Sequence, residues 1–385
     1  MKSLLLLALA AVLAAIPAPA SGCAVASSAG ERIEIASESA IIVWDEANKI
    51  EHFIRRATFQ SSAYDFGFLV PSPSVPEVKE SDDEALARLE RMTRPRLEHR
   101  NRTASPSFGC GGASAPKGAS EDASSGVLIY QQQRVGDHDI VTVGFDSTKG
   151  DAAAGAAELA QWLVRFGYAF GDNLKDWIEP YVRNKWVVTA FRIAGEKPAG
   201  SEPAKGTHDL RAKGTHDLRA KAVRMSFKTE RPFYPYREPA DQRDHKANFE
   251  PRLLKVFFVA DKRYAGRLGD GSTAWPGRTV WADKLNDTQR TEVATKAKLP
   301  AEVGPKEWFV TEFEDRSSPR PGTDEVYFAP SSDQSTVART PIIVWHDDET
   351  PWLIGLAFCF GLPALVLVGL VLKRVWKRRE TIGTS

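Results

Sequence analysis

The chain has 385 residues, and 51 basic against 50 acidic side chains give a formal net charge of +1. Lys2 and a C-terminal tail worth +4 (five basic residues and Glu380) account for more than that total, leaving −4 on everything between. That balance excludes a nucleic-acid binder, which carries a basic footprint on its folded part.

Residues 1–20 read as an export signal. Lys2 supplies the positive start, Leu4 to Ile16 a short apolar core, and Ala18-Pro19-Ala20 the small residues of a cleavage site before Ser21. A β-rich stretch follows. Ala40 to Trp44 is an apolar run, Glu51 to Gln60 alternates, and Phe66, Phe68 and Val70 keep the period of a pleated strand. Pro71, Pro73 and Pro76 then intervene. Proline gives no N–H to a ladder, so pairing stops or the strand lies at an edge by Pro71, and an extended connector is expected beyond it. The letters Asp65-Phe66-Gly67 do not make a kinase, because no Gly-rich loop or HRD loop accompanies them.

Ser81 with Glu84 has the spacing of a capping box for a helix whose apolar face is Leu86, Leu89 and Met92 or Thr93, ended by Pro95. Residues 103–126, rich in Ser, Gly, Ala and Pro, read as a loop, and 127–133 with 139–145 as a strand pair. Leu159, Trp162, Leu163 and Phe166 recur at helical spacing, as do Leu174, Trp177, Ile178 and Tyr181. Pro180 is expected to kink or stop the second helix. Lys185 to Ile193 completes a helix–turn–helix–strand unit.

An octet, AKGTHDLR, occurs at Ala204 to Arg211 and again at Ala212 to Arg219, and is expected in an exposed, unpaired loop. Its His208, Asp209, His216 and Asp217 lack the fixed geometry that a metal site needs. Strands are expected at 222–229, 253–260, 306–313 and 340–345. Gly269 to Ser272 is a turn too short for a calcium loop. Trp275, Trp281 and Trp308 belong to the core or to a sugar-stacking face.

Trp352 to Leu372 contains no charge and reaches about 30 Å as a helix, the thickness of a bilayer's hydrocarbon core. His346 to Glu349 precede it, and Lys373, Arg374, Lys377, Arg378 and Arg379 follow. The positive-inside rule therefore places the tail in the cytoplasm and the bulk of the chain outside. In that oxidising setting Cys23 and Cys110 form a candidate disulfide. It closes a loop of about 88 residues and is worth about 4–5 kcal/mol. Lipidation of Cys23 is one alternative. Another is a Cys110 nucleophile with His52, His99 or His138 as its base.

The segments Ile41 to Phe59, Asp65 to Val78, Glu158 to Tyr168 and Trp186 to Ile193 together resemble the bacterial exported family catalogued as domain of unknown function 2330. Its most specific part here is FGFLVPSPSVP, and the resemblance covers most of residues 23–350. It implies a secreted or singly anchored envelope protein with a cysteine near the mature start, as Cys23 is. It implies no catalytic residues.

The fold expected is α+β: a β-rich ectodomain with one helix–turn–helix–strand unit, plus one C-terminal transmembrane helix. Its parts are the signal (1–20), an N-terminal ectodomain (21–200), the octet loop (201–221), a C-terminal β-rich ectodomain (222–350), the span (351–372) and the tail (373–385). The function expected is a single-pass envelope protein that binds or scaffolds without a catalytic, cofactor or metal site. Its partners are membrane lipid and an envelope protein or glycan, not nucleic acid. Alternatives are an envelope hydrolase using His52, Asp65 or Cys110, and an accessory subunit of a membrane complex. No HExxH, GxSxG or P-loop sequence is present.

Overall fold

The computed structural model describes residues 25–27, 33–61, 65–102, 127–146, 150–166, 173–194, 216–240, 252–301, 303–317, 319–347 and 365–374. The chain forms two compact units, Met1–Arg94 with Ser114–Ala338, and Pro95–Ala113 with Arg339–Ser385. Among the described residues it is a β-rich α+β protein with five helices.

The first unit is built on two large sheets. In the larger, of eight strands, β2 (Ile33–Asp45) and β3 (Ile50–Ser61) form an antiparallel pair. Beyond β2 lie β13 (Leu253–Ala260), β16 (Phe309–Asp315) and β15 (Arg278–Lys284). Beyond β3 lie β10 (His216–Arg219), β11 (Val223–Lys228) and the edge strand β5 (Glu77–Glu80). The β13–β2 pair is parallel, with Val256 opposite Ala40. Strands from both sides of the 201–221 segment thus share one sheet. The second sheet is antiparallel, in the order β1 (Val25–Ser27), β4 (Asp65–Ser72), β9 (Val187–Ala194), β8 (His138–Phe145), β7 (Val127–Val135).

Apolar side chains on both faces of these strands explain the layers. Phe68, Ile140 and Phe191 of the five-stranded sheet pack against Ile42, Phe53 and Phe258 of the larger one. A three-stranded sheet, β12 (Phe233–Tyr234), β17 (Val326–Pro330) and β14 (Tyr264–Leu268), closes the same core with Phe233, Tyr264 and Phe328. On the outer face of the five-stranded sheet, Val141 and Val188 meet Leu159 and Trp162 of α2 (Ala152–Arg165) and Trp177 and Ile178 of α3 (Leu174–Arg183). On the far face of the larger sheet, Ile41, Val43 and Phe257 meet Leu86 and Leu89 of α1 (Asp83–Met92) and Val293 of α4 (Asp287–Lys296). The result is a stack of helices, sheet, sheet and helices. Strands covered on both faces read as continuous apolar runs, as Ala40 to Trp44 and Val256 to Ala260 do.

Several local expectations are refined. Strand β4 passes through Pro71, which sits opposite Val188 of β9, while β1 pairs only with Phe66, Gly67 and Phe68 on the other side. At Pro71, therefore, β4 is an edge with respect to the described residues, where a missing N–H costs no ladder bond. The cap of α1 is Asp82, whose Oδ1 accepts from the Glu84 N–H at 2.9 Å, not Ser81. Ser81 turns inward and donates to the Ala297 carbonyl at 3.3 Å. Helix α3 continues through Pro180 to Arg183. Burial of Leu174, Trp177, Ile178, Tyr181 and Val182 outweighs the proline penalty of about 3 kcal/mol. The last four residues of the second octet are paired as β10 against Thr58 to Ser61, rather than unpaired. Trp275 and Trp308 are core residues, and Trp281 is partly buried beside the helix layer.

In the second unit, β6 (Leu97–Arg102) and β18 (Ile342–Asp347) form a parallel two-stranded ribbon, and residues 365–374 form a helix, α5. Among the described residues no helix is long and apolar enough to cross a membrane. The expected span begins in residues that lie outside the described ones, as do the signal and tail beyond Arg374.

Candidate functional site

The interior of the first unit holds a network of charge that no local pattern announces. Glu38 of β2 and Arg55 of β3 are both buried, and Arg55 Nε donates to Glu38 Oε1 at 2.5 Å. The Arg55 guanidinium lies 4.5 Å from the centre of the Phe68 ring. The other Glu38 oxygen is 3.9 Å from Arg320, whose Nε is 3.8 Å from Asp315 at the end of β16. Tyr236 donates its hydroxyl to Asp315 at 2.6 Å. Arg320 also donates to the Arg252 carbonyl at 3.3 Å, and Arg252 is ion-paired with buried Glu238.

Three carboxylates therefore alternate with three guanidiniums. Burial alone raises the Glu38 carboxyl, but the charges of Arg55 and Arg320 outweigh it and hold Glu38 below its ordinary range. Glu238 goes the other way: burial dominates, and Arg252 and Arg320 only partly offset it. Burial also raises Glu325, although Tyr181 donates to it and the backbone N–H groups of Tyr236 and Arg237 contact it at 2.6 and 3.2 Å.

This network reaches the surface at a small cleft of about 80 Å³ lined by Asp176 and Trp177 of α3, by Arg237, Glu238 and Pro239, and by Thr323. The Trp177 indole N–H donates to the Arg237 carbonyl at 3.0 Å, and Arg237 pairs with Asp324 at 3.1 Å. Trp177 and fixed charges of both signs line a space with room for a small polar group or the tip of a partner's side chain. Glu238 is the link: the residue lines the cleft, and its buried carboxylate pairs with Arg252 in the network.

The histidines and acids singled out in the sequence are not brought together. His52 is buried in β3, its Nδ1 2.8 Å from Ser226 Oγ of β11. Burial and the nearby Arg224 charge bring its pKa down to about 4, against the opposing pull of Asp45 and Glu77. It is therefore neutral at physiological pH. Asp65 lies in the other large sheet, opposite Ala194. His138 is buried edge-on against the stacked rings of Phe68 and Phe191, with Nε2 3.2 Å from the Lys221 carbonyl. His99 is in the second unit, against His346. Cys23, Cys110, His208 and Asp209 lie outside the described residues, and of the second octet's pair only the backbone of His216 and Asp217 is placed. Among the described residues no group of three or more His, Cys, Asp or Glu could hold a metal ion. The cleft itself was missed in the sequence. No local pattern marks it, because its lining comes from segments far apart in the chain.

No curated protein matches the chain. A solved structure of a mutated baculovirus P35 after caspase cleavage is similar over 80% of this chain and all of that one, at 7% identity and a TM-score of 0.27. That likeness is too slight to carry an argument. The family model described as "Uncharacterized protein conserved in bacteria (DUF2330)" matches residues 17–317. The chain therefore belongs to that bacterial family of unknown function.

Proposed function

We propose that this protein is a single-pass component of the bacterial envelope whose exported part binds or scaffolds another envelope protein or a glycan without catalysis. The observation that carries the reading is at the C-terminal end. From Leu365 to Leu372 every large side chain of α5 is apolar and more than half exposed, within a run that has no charge from Trp352 to Leu372 and a basic cluster after it. Such a surface is costly in water and favourable in hydrocarbon. The basic residues then interact with anionic head groups on the cytoplasmic side, each worth about 1 kcal/mol near the surface. In the same reading residues 1–20 are removed on export, and Cys23 and Cys110 are oxidised to a disulfide. The cleft around Trp177, Arg237 and Glu238 is the surface offered to the partner.

Fractionation of cells that express the full chain, or a chain ending at residue 350, tests this. The full chain is expected in the membrane pellet after an alkaline carbonate wash, and the truncated chain in the soluble exported fraction. Protease added to cells with a permeabilised outer layer is expected to degrade the bulk and spare the tail. Release of the full chain by carbonate, or loss of the tail alone to protease, overturns the reading.

A further inference from the structure

The ribbon of the second unit carries a pair of histidines that belongs neither to the cleft nor to the buried charge network. In the parallel register of β6 and β18, Val344 lies opposite His99 and His346 opposite Asn101. Alternation along each strand then puts His99 and His346 on one face, one step apart along a diagonal. Their ring centroids lie 4.8 Å apart, with the ring planes tilted by 22°. Nδ1 of His99 is 2.5 Å from Nε2 of His346, across 247 residues of sequence. Glu98 and Arg100 alternate to the opposite face and pair with each other at 2.9 Å, so neither charge competes at the imidazoles.

Two ring nitrogens can meet this closely only with a proton or a cation between them, since both otherwise present lone pairs. A transition ion at about 2.0–2.1 Å from each nitrogen needs them about 3 Å apart. The two nitrogens face each other nearly head-on, so the exposed rings must move apart by about 0.5 Å and turn until both lone pairs aim at one shared ion. The ribbon also has a use for a staple. Among the described residues it has only two strands, and an isolated two-stranded ribbon is marginally stable in water.

We propose that His99 and His346 form a two-imidazole site for a divalent transition cation of the zinc and copper class, which cross-links β6 to β18. Imidazole nitrogens suit these ions, whereas calcium and magnesium need oxygen ligands. Among the described residues no third His, Cys, Asp or Glu completes the set, so water fills the remaining positions. The site is exchangeable and ties the chain just before the apolar run to a segment that is distant in sequence.

Calorimetric titration of the chelator-treated full-length chain with Zn²⁺, and separately with Cu²⁺, tests the proposal. The expected result is one ion per chain, with affinity reduced at least tenfold in H99N and equally in H346N. Both variants should keep the wild-type thermal midpoint in EDTA. Hydrogen exchange supplies a second measurement: Zn²⁺ is expected to slow the amides of residues 97–102 and 342–347 in the wild type and not in either variant. Three outcomes overturn the proposal. They are no binding at millimolar Zn²⁺, binding that survives both substitutions, and binding lost only when His208 and His216 are changed, which would move the ion to the octets.

Discussion

At the scale of single residues, the interior of this protein is specified by charge as much as by apolar surface. Glu38 faces two guanidiniums, Arg55 and Arg320, and removing it leaves both under-compensated in a dry environment. Glu38→Ala is therefore expected to lower the free energy of unfolding by about 3–5 kcal/mol, read from the urea midpoint. A loss below about 1 kcal/mol would mean that the pair is solvated. His52 makes a pH prediction with a definite sign. Its folded pKa of about 4 lies below the ordinary 6.5, so the unfolded chain binds the extra proton and stability falls as pH drops between those values. Between pH 7 and pH 5 the loss from His52 is about 2 kcal/mol. The charged neighbours are Asp45 on β2, Arg224 on β11 and Glu77 on β5. His138 is lowered for the same first reason, burial, and adds to the effect. His52→Asn, which can keep a hydrogen bond to Ser226, is expected to flatten this pH dependence. An unchanged slope would remove His52 as its source.

At the scale of elements, caps and pairings decide what periodicity alone leaves open. The helix at 83–92 was legible from Leu86 and Leu89, but its cap was not. Two polar residues precede it, and only the inward turn of Ser81 toward Ala297 leaves Asp82 for the free N–H groups. Asp82→Ala is expected to cost about 1 kcal/mol in thermal or urea unfolding, and more than Ser81→Ala costs through helix capping. The opposite order would return the cap to Ser81. Helix α4, where Asn286 and Gln289 form a reciprocal capping box, was not singled out in the sequence because Val293 is its one buried apolar side chain. The hairpin of β7 and β8 turns at Gly136, whose φ of +58° suits glycine, and both strands were legible as a pair in the sequence.

At the scale of the whole molecule, the larger sheet interleaves segments that are far apart in the chain. The parallel β13–β2 pair and the flanking of β3 by β11 bind residues beyond 216 to residues before 61. If the first octet, Ala204 to Arg211, is replaced by a protease site and cut, the two fragments are expected to co-elute on native gel filtration and to separate only in denaturant. Separation under native conditions would mean that the segments before and after the octets fold independently. The cleft has the same origin, since Trp177, Glu238 and Thr323 come from three distant segments of the chain.

The sequence by itself determined the family, the β-rich character of the chain, most strand positions and the helix pair at 152–183. Each of these is written in local period, composition or a contiguous motif. The strand order, the four layers, the Glu38–Arg320 network and the His99–His346 contact were decided only by the tertiary structure. The physical reason is that a charged residue in a strand looks the same in sequence whether it faces water or a buried partner. The partner's position is set by long-range pairing, which leaves no mark on neighbouring residues.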